Sequence, residues 1–317
     1  MQILPPLTGQ YAVGFAQLAI ERLPTTHLIG DRRIKMEIYA PTKPNTGNKL
    51  LMRPNPVLEE MVGRQFSQEQ LQELHTYSQD RIDPIGKWPI VLFSNGMGCD
   101  ITEYRLLLEQ LASHGYLVLN LNHSSSSSSV YDNVAPGEDP FANVDPKKLA
   151  AMQADNIQFV IEEIRNGSLK DLGQSDQIIL AGHSLGGAAS ILVVQNDPTI
   201  KGCIDLDGAL QGPASEPPVP TLLVTTSAPD PDLSQFDEET RENILERRKE
   251  VKEGWNNFSK HSNVESRTIE GVDHMDFSMC AMLYWLLGKP HLYLGTLKAH
   301  SVASQAMIQF MHSVVRK

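Results

Sequence analysis

Cysteine is scarce in this chain: Cys99, Cys203 and Cys280 are odd in number, far apart and form no CxxC pair. That pattern excludes a disulfide framework and a cysteine-built metal site. Cys99, in a glycine loop, and Cys203, opening a strand, read as small core residues. Basic residues are also in deficit, 27 Lys+Arg against 38 Asp+Glu, for a net charge of −11. No basic patch stands out, so nucleic acid is not an expected partner, and anionic membrane exerts no pull. No uninterrupted apolar run is long enough to span a bilayer. The first residues, Met1 to Pro6, lack the basic-then-apolar pattern of a secretory leader. The expected compartment is therefore the cytoplasm, with a mature secreted domain as the alternative.

What is present is enough apolar material for a large core, 41% hydrophobic residues over 317 positions. From residue 89 the pattern alternates strand and helix. Pro89–Ser94, Tyr116–Leu121, Gln177–Ala181, Gly202–Asp207 and Pro220–Thr226 read as strands, and a helix opens at Asp100 and ends at Gly115. Lys147–Asn166 is a second helix, with Ile157, Val160, Ile161 and Ile164 on one face. A strand at 265–270 and a helix at 296–315 close the chain. Two strands precede all this, at 11–20 and 33–40, the second ended by Pro41. This alternation predicts an α/β fold: a mainly parallel, doubly wound sheet with helices on both faces.

One domain over residues 1–317 is the simplest organisation, with a helical insertion at about 42–88 and a helical excursion at about 231–262. In the insertion, Leu58, Met61 and Val62 form a narrow apolar stripe. Ser67-Gln68-Glu69-Gln70 spells a capping box ahead of Leu71 and Leu74. A packed insertion is the expectation, a lid over a site the alternative. Residues 233–262 are charged and offer little beyond Ile244, Leu245 and Val251 to bury, as expected of a solvated outer helix. Six consecutive serines, Ser124 to Ser129, suggest a loop.

The stretch Gly182-His183-Ser184-Leu185-Gly186-Gly187 lies between an apolar strand and an apolar helix. Gly-x-Ser-x-Gly in that setting is a nucleophile elbow, the mark of an α/β-hydrolase. Glycines two positions either side let backbone pass a tightly turned serine. A serine nucleophile needs a histidine base and an acid, in the chain order Ser, acid, His. Of the histidines after the elbow, His274 falls on a loop after the last strand, and His291 is its rival. His261, His300 and His312 fall within helices. For the acid, Asp207 and Asp230 each follow a strand and remain alternatives, while Asp205 lies further from the sheet edge.

Four stretches together resemble the platelet-activating-factor acetylhydrolase family (the plasma-type, lipoprotein-associated phospholipase A2 group) and its bacterial relatives. They are Leu7–Gly14, Val91–Gly98 with Leu111–Tyr116, Gly182–Gly187, and Asp205–Gly208. The resemblance implies an α/β-hydrolase fold and places the acid in a Leu-Asp-small pattern, here Asp207. It implies oxyanion donors at the backbone N–H groups of Met97 and Leu185, and no metal or cofactor. The expected activity is that of a serine esterase on short-chain carboxylic esters, with a phospholipid's short or oxidised sn-2 acyl group as one substrate. The alternatives are a broader carboxylesterase of the dienelactone-hydrolase or polyester-hydrolase kind, and a non-catalytic binding protein on the same fold. For membrane contact, Phe277 to Leu287 is the one apolar candidate, expected rather to pack beneath the site.

Overall fold

The computed structural model describes residues 5–23, 29–45, 47–51, 67, 75–127, 144–227, 233–234, 237–279 and 290–315. The stripe at 58–62, the helix opening at 67–74, Asp230, Cys280 and most of the 277–287 stretch lie outside the described residues, as does the His291 side chain.

Ten strands form one sheet: β1 (Ala12–Glu21), β2 (Arg33–Thr42), β3 (Lys49–Leu51), β4 (His75–Gln79), β5 (Pro89–Ser94), β6 (Leu117–Asn122), β7 (Gln174–His183), β8 (Gly202–Leu206), β9 (Thr221–Ser227) and β10 (Val264–Glu270). Their spatial order is β10-β9-β8-β7-β5-β6-β2-β1-β4-β3. From β6 to β10 every pairing is parallel, and β2 joins β6 antiparallel. The fold is the α/β arrangement expected, extended by an antiparallel edge.

Among the described residues the α-helices are α1 (Arg105–Ser113), α2 (Pro146–Asn166), α3 (Leu185–Val194), α4 (Glu238–Phe258) and α5 (Pro290–Val314). The central strands are apolar on both faces because both faces are covered. Val91, Phe93, Ile179 and Ala181 pack with α1 and α5, whereas Ile90, Leu92, Ile178 and Leu180 pack with α2, α3 and Phe258 at the end of α4.

Three local expectations are corrected. Strand β2 runs through Pro41 to Thr42, because pairing with β6 stops at Tyr39 and a proline tolerates the edge beyond it. Within 42–88 lie two strands, β3 and β4, rather than helix alone. Strand β4 was hidden by its polarity: Thr76 and Ser78 are buried, and the Glu109 carboxylate of α1 accepts from the Tyr77 and Ser78 amides. The third concerns α4, where Leu245 is exposed and Phe258 supplies the buried anchor.

The chain leaves β5, lays β6 on one side and returns to place β7 on the other. This reversal opens a crevice at the carboxyl ends of β5 and β7, where ligands bind in such sheets. The loop Asn95–Gly98 and the turn at Ser184 both sit there.

Candidate active site

Ser184 occupies the turn from β7 to α3 with φ 56° and ψ −122°, a conformation few L-residues adopt. The surroundings hold it there. Its amide donates to the Leu206 carbonyl at 2.9 Å. A Cβ on Gly182 would lie 2.3 Å from the Gly186 carbonyl carbon, and one on Gly186 would lie 2.1 Å from the Ser94 carbonyl oxygen. Both glycines are therefore steric requirements of the turn, and Ser184 caps α3, whose unpaired N–H groups carry partial positive charge.

His274 opens a 3-10 turn (His274–Phe277) directly after β10, capped by Asp273. Its Nε2 lies 3.0 Å from Ser184 Oγ and its Nδ1 2.6 Å from Asp207 Oδ2. Asp207 follows β8 with φ 58°, so it leaves the strand line and does not share a face with Asp205. Its other bonds come from β9: the Thr226 amide donates to Oδ1 at 2.6 Å and the Thr226 hydroxyl to Oδ2 at 2.9 Å. Asp205 is elsewhere, fully buried, accepting from the Gly208 amide. Burial, with the Asp207 charge as a lesser cause, pushes its carboxyl well above the usual carboxylate range. It sits in the floor of the turn, bonded to the Gly208 amide and away from His274.

The structure thus brings Ser184, His274 and Asp207 into one line and leaves Asp205 out. Two other histidines after the elbow are engaged elsewhere: His261 Nε2 with the Ala214 carbonyl, and His312 stacked on Tyr116. His300 is buried in α5, where burial lowers its pKa to about 4.

The loop after β5 completes the crevice. Two of its amides are committed, Gly96 to the Tyr104 hydroxyl at 3.1 Å and Gly98 to the Ser126 carbonyl at 2.8 Å. Among the described residues the Met97 amide has no such acceptor, nor has the amide of Leu185 in the first turn of α3.

Beneath this lies a chain of bonds whose direction is determined. The His274 carbonyl can only accept, so His183 Nε2, 2.9 Å away, carries the proton. His183 Nδ1 is then an acceptor, taking the Tyr104 hydroxyl proton at 2.8 Å, and Tyr104 accepts in turn from Gly96. Burial first, and the neighbouring His274 second, hold His183 well below the ordinary histidine pKa, so it is neutral. Phe277 packs against the same ring, 5.6 Å between centroids.

A cavity of about 490 Å³ opens beside Ser184 and His274. Its walls include Asp207, Thr226 and Asp273, and also Arg247, Arg248, Val251, Lys252 and Trp255 of α4. The helix expected to be an outer, solvated one forms a wall of the site. Trp255 Nε1 donates to the Gly208 carbonyl at 2.7 Å, one residue after Asp207, which sets α4 against the cavity. The signal in the sequence was the spacing of 247, 248, 251, 252 and 255, one helical face.

An elbow serine, a histidine after the last strand and a parallel sheet define an α/β-hydrolase. The chain belongs to the family of platelet-activating factor acetylhydrolase, isoform II, whose model matches residues 2–166. That part holds the Gly96–Gly98 loop; Ser184, Asp207 and His274 lie beyond it. The platelet-activating factor acetylhydrolases of Canis lupus familiaris and Bos taurus are 26% and 27% identical over 155 residues. Each match covers 38% of this chain and 35% of the relative, so it spans about a third of those proteins. A ferulic acid esterase from Streptomyces cinnamoneus superposes with a TM-score of 0.73 at 19% identity, over 99% of this chain and 93% of its own. This likeness establishes the fold over almost the whole length.

Proposed function

We propose that the chain is a serine esterase acting on short-chain carboxylic esters, with a phospholipid's short or oxidised sn-2 acyl group as one substrate. The observation that carries this reading is the placement of His274, 3.0 Å from Ser184 Oγ and 2.6 Å from Asp207. In this reading Ser184 Oγ attacks the ester carbonyl carbon while His274 Nε2 takes its proton. The ester C–O bond then breaks, and the same proton passes to the leaving alkoxide. Asp207, held by Thr226, keeps the His274 proton on Nδ1 and offsets the imidazolium charge. The Met97 and Leu185 amides receive the oxyanion, each donor of this kind worth about 3–4 kcal/mol in rate. Water repeats the sequence on the acyl-enzyme. Family membership supports ester hydrolysis, and the acyl-length preference is proposed from the family resemblance.

The test is a series of p-nitrophenyl esters of rising chain length beside a phospholipid with a short sn-2 chain. Fast acetate and butyrate hydrolysis that declines with length, together with turnover of the phospholipid, is expected. Turnover of the simple esters with the phospholipid left intact would favour the broader carboxylesterase instead.

A further inference from the structure

The cavity beside Ser184 has a sidedness. His274, which returns the proton to the leaving alkoxide in the proposed mechanism, lines it, whereas neither Met97 nor Leu185 does. A group filling this cavity is therefore attached to the alcohol side of the scissile ester.

The wall facing that group is cationic in a protein of net charge −11. Helix α4 carries Glu238, Glu239, Glu242, Glu246, Glu250 and Glu253, and none of them lines the cavity. Its basic residues Arg247, Arg248 and Lys252 do. Arg247 meets Glu250 at 3.5 Å in an exposed pair, a weak restraint that a ligand can displace. Lys252 has no ion pair among the described residues. Two acids share the lining, but both are occupied: Asp207 by Thr226 and His274, and Asp273 by the Met275 amide it caps. Arg247 also borders a second cavity of about 500 Å³, which shares Ala209 and Val251 with the first and adds Lys147 and Glu250. The bond from Trp255 to Gly208 keeps this face turned toward the site.

We propose that the Arg247–Lys252 edge of α4 is an anion subsite that selects esters bearing a carboxylate or phosphate on their alcohol portion. The inference rests on the esterase reading above and specifies its substrate class. A solvent-exposed cation at a cavity wall gives up to roughly a fivefold preference, ~1 kcal/mol at 1.4 kcal/mol per tenfold. Two neighbouring cations acting on one anion couple, so their joint effect is about tenfold.

Three acetyl esters differing only in the para substituent of the phenol form the test: 4-acetoxybenzoate, 4-acetoxyphenyl phosphate and the neutral 4-acetoxybenzamide. The readout is kcat/KM for each anionic ester divided by that for the amide. Comparing this ratio between wild type and variant cancels the leaving-group chemistry. In the double variant Arg247→Gln with Lys252→Gln the ratio should fall about tenfold, mainly through KM. Lys249→Gln, on another face and paired with Glu253, should leave it unchanged. A larger fall for the phosphate than for the carboxylate assigns the subsite to phosphate esters, and the reverse order to carboxylates. Equal ratios in wild type and double variant would overturn the proposal while leaving the esterase reading intact. Calorimetry of 4-hydroxybenzoate with Ser184→Ala separates the remaining case. Binding that the double substitution abolishes, in a protein that hydrolyses none of the esters, would keep the anion site and sink the esterase reading. No binding and no hydrolysis would sink both.

Discussion

Removing one hydroxyl, by Tyr104→Phe, tests the bond chain that ties the Gly96 loop to the backbone of His274. Tyr104 and His183 are both fully buried, and Gly96 is buried with them. The substitution preserves the ring and its packing on Phe93, 4.9 Å between centroids, and deletes only the oxygen. Two polar groups then lose their partner in the core, the Gly96 N–H and His183 Nδ1. An unsatisfied buried group costs ~1–3 kcal/mol, so the pair should cost about 2–4 kcal/mol after partial relaxation. A domain of typical stability, about 5–15 kcal/mol, still folds. A second effect is kinetic. Without a donor at Nδ1, the His183 proton is no longer confined to Nε2, and its hold on the His274 carbonyl weakens. A fall in kcat of about tenfold is expected, with KM nearly constant, since no group facing substrate has changed. Urea denaturation and steady-state hydrolysis of p-nitrophenyl acetate measure the two effects separately. A stability loss below ~0.5 kcal/mol with unaltered kcat would refute the reasoning.

The two aspartates at the end of β8 should part company. Asp207→Asn should lower kcat by roughly 10³–10⁴-fold, the scale known for triad acids, whereas Asp205→Asn, replacing a buried carboxyl that accepts from Gly208 and does not reach His274, should change kcat little. Comparable losses in both would contradict the assignment. Gly186→Ala would drive a methyl to 2.1 Å from the Ser94 carbonyl oxygen, so the variant should lose several kcal/mol in a thermal or urea melt. A wild-type-like transition would show that the turn is less tightly closed than described. For pH, His300 stays neutral in the native protein down to about 4, while the unfolded chain protonates near 6.5. Its depressed pKa gives stability that is complete above 6.5 and lost as pH falls toward 4. Between pH 6.5 and 5 the loss is ~2 kcal/mol, at ~1.4 kcal/mol per unit. Urea curves at pH 7 and 5 should therefore show wild type losing that much more than His300→Gln. Parallel losses would argue against a neutral, buried His300.

The parallel half of the sheet was legible because its strands are short apolar runs, buried on both faces, between capped helices. Asp100 with Glu103 marks a helical start that the structure reproduces as a 3-10 turn (Ile101–Tyr104) leading into α1. Strand β4 was not legible, since its buried side chains are Thr76 and Ser78, made tolerable by a carboxylate contributed from α1. The elbow and His274 followed from spacing and chain order. The acid did not follow from pattern, because what distinguishes Asp207 is a positive φ and two bonds from Thr226, nineteen positions away. The spacing of 247 to 255 marks one face of α4, but that this face turns inward was out of reach, since one long-range bond, Trp255 to Gly208, sets it against the site. Tyr104 and His183 read as ordinary core and motif residues until their bonds are seen.

The most direct test of the central claim, that Ser184 is a nucleophile activated by His274, is covalent labelling of the folded protein with a fluorophosphonate. Peptide mass mapping then locates the adduct. One phosphonate per chain on the peptide carrying Ser184, abolished by Ser184→Ala and slowed at least about a hundredfold by His274→Ala, is the expected result. No labelling of the wild type, or an adduct that persists after Ser184→Ala, would contradict it.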